Sequence, residues 1–402
     1  MTGEGLGGPS IDAAPQVLMK ILHVHNNHRF GGGSDLVAGQ TVRLLREAGH
    51  EVVEFTRNSR DLAVRGLRGK AIAFASGIYN PRTTRAFERA LKEHRPDVVH
   101  AHELYPLITP WIYPLCRKHG IASVMTCHDY RLTCPVFNHY RKGQVCTECI
   151  ERNAWMCVRN NCRGNVPESA AYTLQHVTGR LFRLFQYVDF FITPSIFTRD
   201  WLIRHAGIES DRIRAVGNPI FVDAGSVKPY RPHERTYVAY AGRFFPEKGI
   251  DVLLRAAAMA GVTVRLAGEP RGFERETYGA RAEFLGPLKP EDMNAFYDGA
   301  RGLAVPSRWF ETFGLVAVEA MARGVPVICS NIGALRELVD PGVHGRLCEP
   351  GHVEQWAAAL KHLWNDPEAC TRMSAACLRR AADYSPHRYL DNVLEAYTMA
   401  RK

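Results

Sequence analysis

The chain has 402 residues, 46% of them hydrophobic and 23% charged, which is enough for two domains with ordinary cores. No apolar run is long enough to cross a bilayer as a helix, and Met1 to Val17 lacks the basic-then-apolar pattern of a secretory leader. A net charge of +10 admits an anionic partner, but the charge is spread along the chain with no long basic tract, which argues against nucleic acid.

Residues 1–18 are rich in small residues, Gly and Pro, and are expected to be disordered, with the fold opening at Met19-Lys20-Ile21-Leu22. Lys20 to His25 reads as a strand and Asp35 to Ala48 as a helix. Between them Gly31-Gly32-Gly33-Ser34 lets the backbone approach a phosphate at a helix start. The spacing is not the G-x-G-x-x-G of a nicotinamide site, which argues against a dehydrogenase. Buried strands follow at Glu51 to Thr56, Asp97 to His102, Ser123 to Cys127 and Phe190 to Ser195, with a helix from Thr198 to His205. The densest basic stretch, Arg57 to Lys70, suits either a solvated face or peripheral contact with a membrane.

Thr126-Cys127-His128-Asp129-Tyr130 ends a strand, where ligand-handling groups of open α/β sheets collect. The segment of about 131–165 then carries Cys134, Cys146, Cys149, Cys157 and Cys162. The last four have spacings compatible with a structural zinc site, with free thiols as the other reading. Arg141, Lys142, Arg152, Arg159 and Arg163 lie in or near it and suit an acidic or lipid-linked ligand. Residues 19–222 thus read as one domain and 223–234 as a hinge. Asn218, in Gly217-Asn218-Pro219, serves as a turn residue or a ligand contact.

Strand–helix alternation resumes at Tyr237 to Ala241 and continues through Val264 to Ala267, Leu303 to Val305 and Val325 to Cys329, giving a second domain over 235–385. After its first strand, Arg243 and Lys248 stand five residues apart, two cations able to clamp a diphosphate. Glu311 follows the Leu303–Val305 strand, and Glu319 sits in the helix expected from Gly314 to Arg323. Fully helical spacing would part the two carboxylates by roughly 12 Å along the axis, too far to act on one bond as a hydrolase pair. They suit opposite ends of one extended ligand, with the amides of Phe313, Gly314 and Leu315 favouring an anionic or hydroxyl-rich group. The final helix, within 386–402, bends back at Tyr384-Ser385-Pro386.

The run Pro306-Ser307, Phe310-Glu311-Thr312-Phe313-Gly314-Leu315, Glu319-Ala320-Met321-Ala322 and Gly324-Val325-Pro326-Val327 resembles the donor-site signature of family 4 glycosyltransferases. The resemblance covers nearly all of 19–402. It implies a GT-B fold, two Rossmann-like doubly wound α/β domains facing across a cleft, with the last helix crossing onto the first domain. It further implies a retaining transferase that moves a sugar from a UDP- or GDP-sugar to a glycan or lipid-linked acceptor in cell-surface polysaccharide or glycolipid synthesis. The enzyme would work in the cytoplasm or at the inner membrane face, without a catalytic metal. On the family pattern Gly32 and Gly33 meet the diphosphate, Arg243 and Lys248 grip it, Glu311 approaches the sugar and Glu319 holds the ribose. His128 stands near the donor sugar and Asn218 near the donor; Asp129 is a candidate acceptor-side base. A sugar-nucleotide epimerase on the same fold and a zinc-ribbon nucleic-acid-binding protein are the competing readings.

Overall fold

The computed structural model describes residues 17–27, 32–59, 66–222, 224–269 and 281–402. Most of the expected disordered leader, Gly31, and Arg60 and Arg65 of the basic stretch lie outside these residues. In the first half the chain forms β1 (Lys20–Asn27), β2 (Glu51–Asn58), β3 (Val98–Ala101) and β4 (Ala122–Thr126). A hairpin of β5 (Tyr140–Arg141) and β6 (Gln144–Val145) follows, then β7 (Phe190–Thr193) and β8 (Ile213–Ala215). The second half forms β9 (Tyr237–Ala241), β10 (Val264–Ala267), β11 (Ala282–Gly286), β12 (Ala300–Val305), β13 (Val327–Ser330) and β14 (Gly345–Cys348).

Among the described residues these strands make two six-stranded sheets, ordered β2-β1-β3-β4-β7-β8 and β11-β10-β9-β12-β13-β14. Every neighbouring pair in both sheets is parallel. Each order runs outward and then reverses, with the strand that opens each half, β1 or β9, internal. That reversal defines a doubly wound sheet whose ligand crevice lies beyond the strands' carboxyl ends. Central strands are buried on both faces, as Phe190-Phe191-Ile192-Thr193 and Val98-Val99-His100-Ala101 are throughout. The edge strands β8, β11 and β14 escape a reading based on apolar runs because edges need no second covered face. β11 accordingly alternates between exposed and partly buried positions.

The hinge is laid down on the second half: Arg323 donates to the Ser226 carbonyl at 2.8 Å, and the Tyr230 hydroxyl to the Arg301 carbonyl at 2.6 Å. The C-terminal helix, Pro386–Ala400, has Pro at its first position and Ser385 as its cap. Tyr389, Val393, Ala396 and Tyr397 are buried in a core shared with Ile21, Val124 and Ile192 of the first sheet. The chain therefore crosses between the halves twice.

Candidate active site

Glu311 lies in the loop after β12, outside the helix, which begins only at Leu315 and runs to Met321. Two glycines shape this corner. Gly314 caps the helix at φ 102°, a region that penalises any side chain. Gly249, at φ 66°, brings the Lys248 loop so close that a β-carbon would stand 2.0 Å from the Pro306 carbonyl oxygen. Lys248 thereby reaches Glu311: its Nζ donates to Oε1 at 2.7 Å and lies 5.0 Å from the centre of the Trp309 ring. The same oxygen accepts from Trp309 Nε1 at 2.9 Å and from Ser307 Oγ at 2.5 Å. Burial pushes this carboxyl up, but the lysine and the two further donors outweigh it and hold it below the usual range. Arg243 is exposed at the same edge, over the Phe245 ring at 5.3 Å.

Glu319 takes a different setting on the short helix. Its Oε2 accepts from the Tyr297 hydroxyl at 2.8 Å, and burial raises its pKa against that single donor. The two carboxylates thus differ: one is fixed as an anion in a cationic nest, the other is held by one neutral hydroxyl. Phe313 is buried against Tyr384 at 5.2 Å between ring centres, so its side chain packs the interdomain seam. Asn218 is buried in that seam as well, beside Gly217, where a β-carbon would lie 2.6 Å from the Tyr384 ring. From the first half, a β-carbon on Gly33 would stand 3.5 Å from Leu315 Cδ1, so the glycine loop abuts the start of the Glu319 helix; Gly32 precedes it in extended conformation.

His128 meets the same corner from the other sheet. The Thr312 hydroxyl donates to the His128 carbonyl at 3.1 Å, and the Tyr130 hydroxyl reaches the Glu311 carbonyl at 3.5 Å. Behind His128 stands a row of imidazoles. The pleat puts alternate residues on one face, and β1 pairs His23 with His100, so His23, His25, His100, His102 and His128 line up. His102 Nδ1 and His128 Nε2 are 2.8 Å apart, with their rings stacked at 5.1 Å. His100 bridges the Tyr397 hydroxyl at 2.7 Å and Thr126 Oγ1 at 2.8 Å. Burial lowers His100 to about 3 and depresses His23 and His102 strongly, so these rings are neutral. His102 Nε2 has no hydrogen-bond partner among the described residues. An orphaned lone pair costs less than an orphaned N–H, which favours His102 Nδ1–H donating to His128. Asp129 accepts from the backbone and side chain of Arg131 at 2.8 and 3.2 Å, which ties it down as an ion pair.

The insertion differs from the zinc set read in the sequence. Cys134, Cys149, Cys157 and Cys162 pack together, whereas Cys146 stands outside that cluster, with its carbonyl 3.0 Å from His139 Nδ1. The Cys157 thiol donates to the Ser169 carbonyl at 3.8 Å. Among the described residues no group of three or more His, Cys, Asp or Glu side chains is disposed to hold a metal, so the thiols as placed do not fit a zinc shell.

Sequence reading did not anticipate the contacts that join the halves. Phe310, beside Glu311, sits among first-domain rings, 4.9 Å from Trp201 and 5.1 Å from Phe197. Glu337 accepts the amides of Ile196, at 2.9 Å, and Phe197, taking the start of a first-domain helix. Tyr297, 22 positions from Glu319, carries no local signal; Trp309 and Ser307 were visible only as neighbours of Glu311.

Two family models match consecutive stretches: "Glycosyltransferase Family 4" over residues 31–224 and "Glycosyl transferases group 1" over residues 225–379. The chain belongs to the family 4 glycosyltransferases. The D-inositol 3-phosphate glycosyltransferase of Rhodococcus opacus is 32% identical over 271 residues, covering 59% of this chain and 58% of that relative. The matched stretch thus spans little more than half of the curated relative. HepE of Anabaena, solved in complex with UDP, superposes with a TM-score of 0.63 at 18% identity, covering 94% of this chain and all of that one. Sucrose-phosphate synthase of Thermosynechococcus elongatus gives a TM-score of 0.66 at 19% identity, covering 94% and 98%. The fold is therefore GT-B.

Proposed function

We propose that this glycosyltransferase moves a hexosyl group, with retention of configuration, from a uridine or guanosine diphosphate sugar to a glycan or lipid-linked acceptor. The observation that carries the reading is the Lys248–Glu311 pair, built on Trp309 and set one residue from the Thr312–His128 contact between the halves. Lysine has three donors, so Lys248 can hold Glu311 and a diphosphate oxygen together. Arg243, exposed at the same edge, adds a second cation for the charge that grows on the leaving diphosphate. In this reading the bond from the anomeric carbon to the diphosphate breaks as the acceptor oxygen bonds that carbon on the same face. The acceptor's proton passes to the departing phosphate. Glu311 and His128 orient the sugar, and Glu319 receives the ribose hydroxyls at the other end. The HepE structure was solved with UDP, which favours uridine over guanosine as the base.

The test is thermal unfolding with UDP, GDP, ADP, dTDP, their sugar conjugates and NAD, followed by product analysis with the donor that binds. A ligand at about a hundred times its dissociation constant stabilises by roughly 2.7 kcal/mol, a readable shift. Inositol phosphate belongs in the acceptor panel because the Rhodococcus relative bears that name. A shift with one nucleoside diphosphate and its conjugates supports the reading. Silence from every nucleotide, or a response to NAD alone, removes it.

A further inference from the structure

A wide groove among the described residues lies in the first domain, apart from the Glu311–Glu319 corner. Its volume is about 1010 Å³, with Phe185, Phe191 and Ile208 in its lining. Four arginines line it, Arg117, Arg180, Arg183 and Arg212, against one acid, Glu209. Arg212 is spent on carbonyls of Gln186 and Asp189 and on Glu209. Arg180 and Arg183 have no carboxylate within ion-pair distance among the described residues. Beside them in sequence and on the same rim, Leu181 is 72% and Phe182 53% exposed. The two adjacent apolar side chains between these arginines make an exposed apolar patch with a basic rim, the composition of an interaction surface.

The apolar rim extends beyond the groove. Phe182 packs on Trp111 at 5.1 Å, and Trp111 on Tyr79 at 5.4 Å. The indole also donates to the Ile78 carbonyl at 2.9 Å, which ends the helix Gly66–Ile78. That helix packs on Val166–Leu181 and exposes Ile72 and Phe74.

We infer that this face docks on an anionic lipid bilayer, with Leu181 and Phe182 inserted at the headgroup boundary and Arg180 and Arg183 on lipid phosphates. Charge complementarity selects the partner's sign, and the adjacent exposed apolar pair selects a bilayer over nucleic acid or a soluble anion. No described helix is long and apolar enough to cross a membrane, so the contact is peripheral. Leu132 and Phe185 line both this groove and a small cavity under Cys127, His128 and Asp129, so docking here sets the bilayer beside the reacting corner's first-domain side. The inference deepens the lipid-linked branch of the proposed function, but it does not need the donor assignment.

The experiment is co-sedimentation of the full chain with phosphatidylcholine vesicles, with and without phosphatidylglycerol, at low and high salt. Binding is expected only with phosphatidylglycerol and is expected to weaken with salt. The double variant Arg180→Glu/Arg183→Glu should lose at least about tenfold in partitioning, since each cation near the surface is worth about 1 kcal/mol. Leu181→Ser/Phe182→Ser should lose binding that salt does not restore, and Arg180→Lys/Arg183→Lys should keep it. Equal binding by wild type and the charge-reversal variant, or no binding to phosphatidylglycerol vesicles, overturns the inference. So does a short RNA that displaces the protein from the vesicles. A melting shift with the nucleoside diphosphate that binds wild type, measured on the same variants, is expected to persist. Silence of wild type toward every nucleotide would remove the donor reading while leaving the docking result intact.

Discussion

The two glutamates of the second domain illustrate how identical side chains acquire different work. Glu311 is compensated by Lys248, Ser307 and Trp309, whereas Glu319 leans on Tyr297 alone. Replacing Glu319 by Ala should therefore weaken UDP binding by about ten- to a hundredfold, the range of a hydrogen bond to a charged group. The melting temperature should change little, and calorimetric titration with UDP reads the affinity directly. Normal affinity would move the ribose elsewhere. At the histidine row the expected effect is on stability. Burial lowers His100 to about 3, and His139 and His176 to about 4, from 6.5 in the unfolded chain. The unfolded state binds more protons below that value, so stability is complete above about pH 6.5 and falls as the pH drops toward the folded values. The slope is about 1.4 kcal/mol per pH unit for each such histidine. Melting temperatures measured from neutral to about pH 5 should show this. Both ring nitrogens of His23 lack partners among the described residues, so His23→Leu should raise the melting temperature and flatten the profile.

Among the elements, the C-terminal helix carries a burden out of proportion to its length. It covers one face of the first sheet through Val393, Ala396 and Tyr397, and Tyr397 supplies the partner of His100. Tyr397→Phe should cost about 1 kcal/mol, the usual worth of one buried hydrogen bond, read by chemical denaturation. Ending the chain at Ser385 should do more. With Ile21, Val124 and Ile192 uncovered, the protein should bind a hydrophobic dye and lose cooperative unfolding; a soluble, cooperative truncation would contradict the packing described above. Much of this level was readable beforehand. The central strands announce themselves as apolar runs, and Pro386 after Ser385 marks the helix start. Of the edge strands β2 was read, but β8, β11 and β14 were not; a three-residue piece such as Ile213–Ala215 carries no period. The cysteine segment was legible as a cluster but not as a set. Spacing favoured Cys146 as the fourth member, while the fold leaves Cys146 out of the packed cluster and brings in Cys134 from before the hairpin.

For the whole molecule, the arrangement of the halves rests on contacts that no local pattern encodes. Lys248 and Glu311 could be placed at one ligand in advance because both belong to one recognisable motif set, although their direct ion pair could not. Phe310 in its cage of first-domain rings, or Glu337 on the amides of Ile196 and Phe197, could not: each joins chain segments more than a hundred positions apart. These contacts hold the two halves in their present relation. Phe310→Ala together with Glu337→Ala should release them. Small-angle scattering should then give a larger radius of gyration for the double variant, and saturating UDP-sugar should reverse part of the change. An unchanged radius would mean that the seam at Tyr384 alone sets the angle.

That seam has a mechanical consequence. The outgoing and returning passes of the chain touch each other, with the Ile220 amide on the Tyr384 carbonyl at 2.9 Å and the Tyr384 ring tight against Gly217. Two adjacent pins behave as a door's hinges do: they permit swing about a single line and resist both twist and slide. Any swing about that line is expected to part and rejoin Gly33 and Leu315, which face each other across the halves.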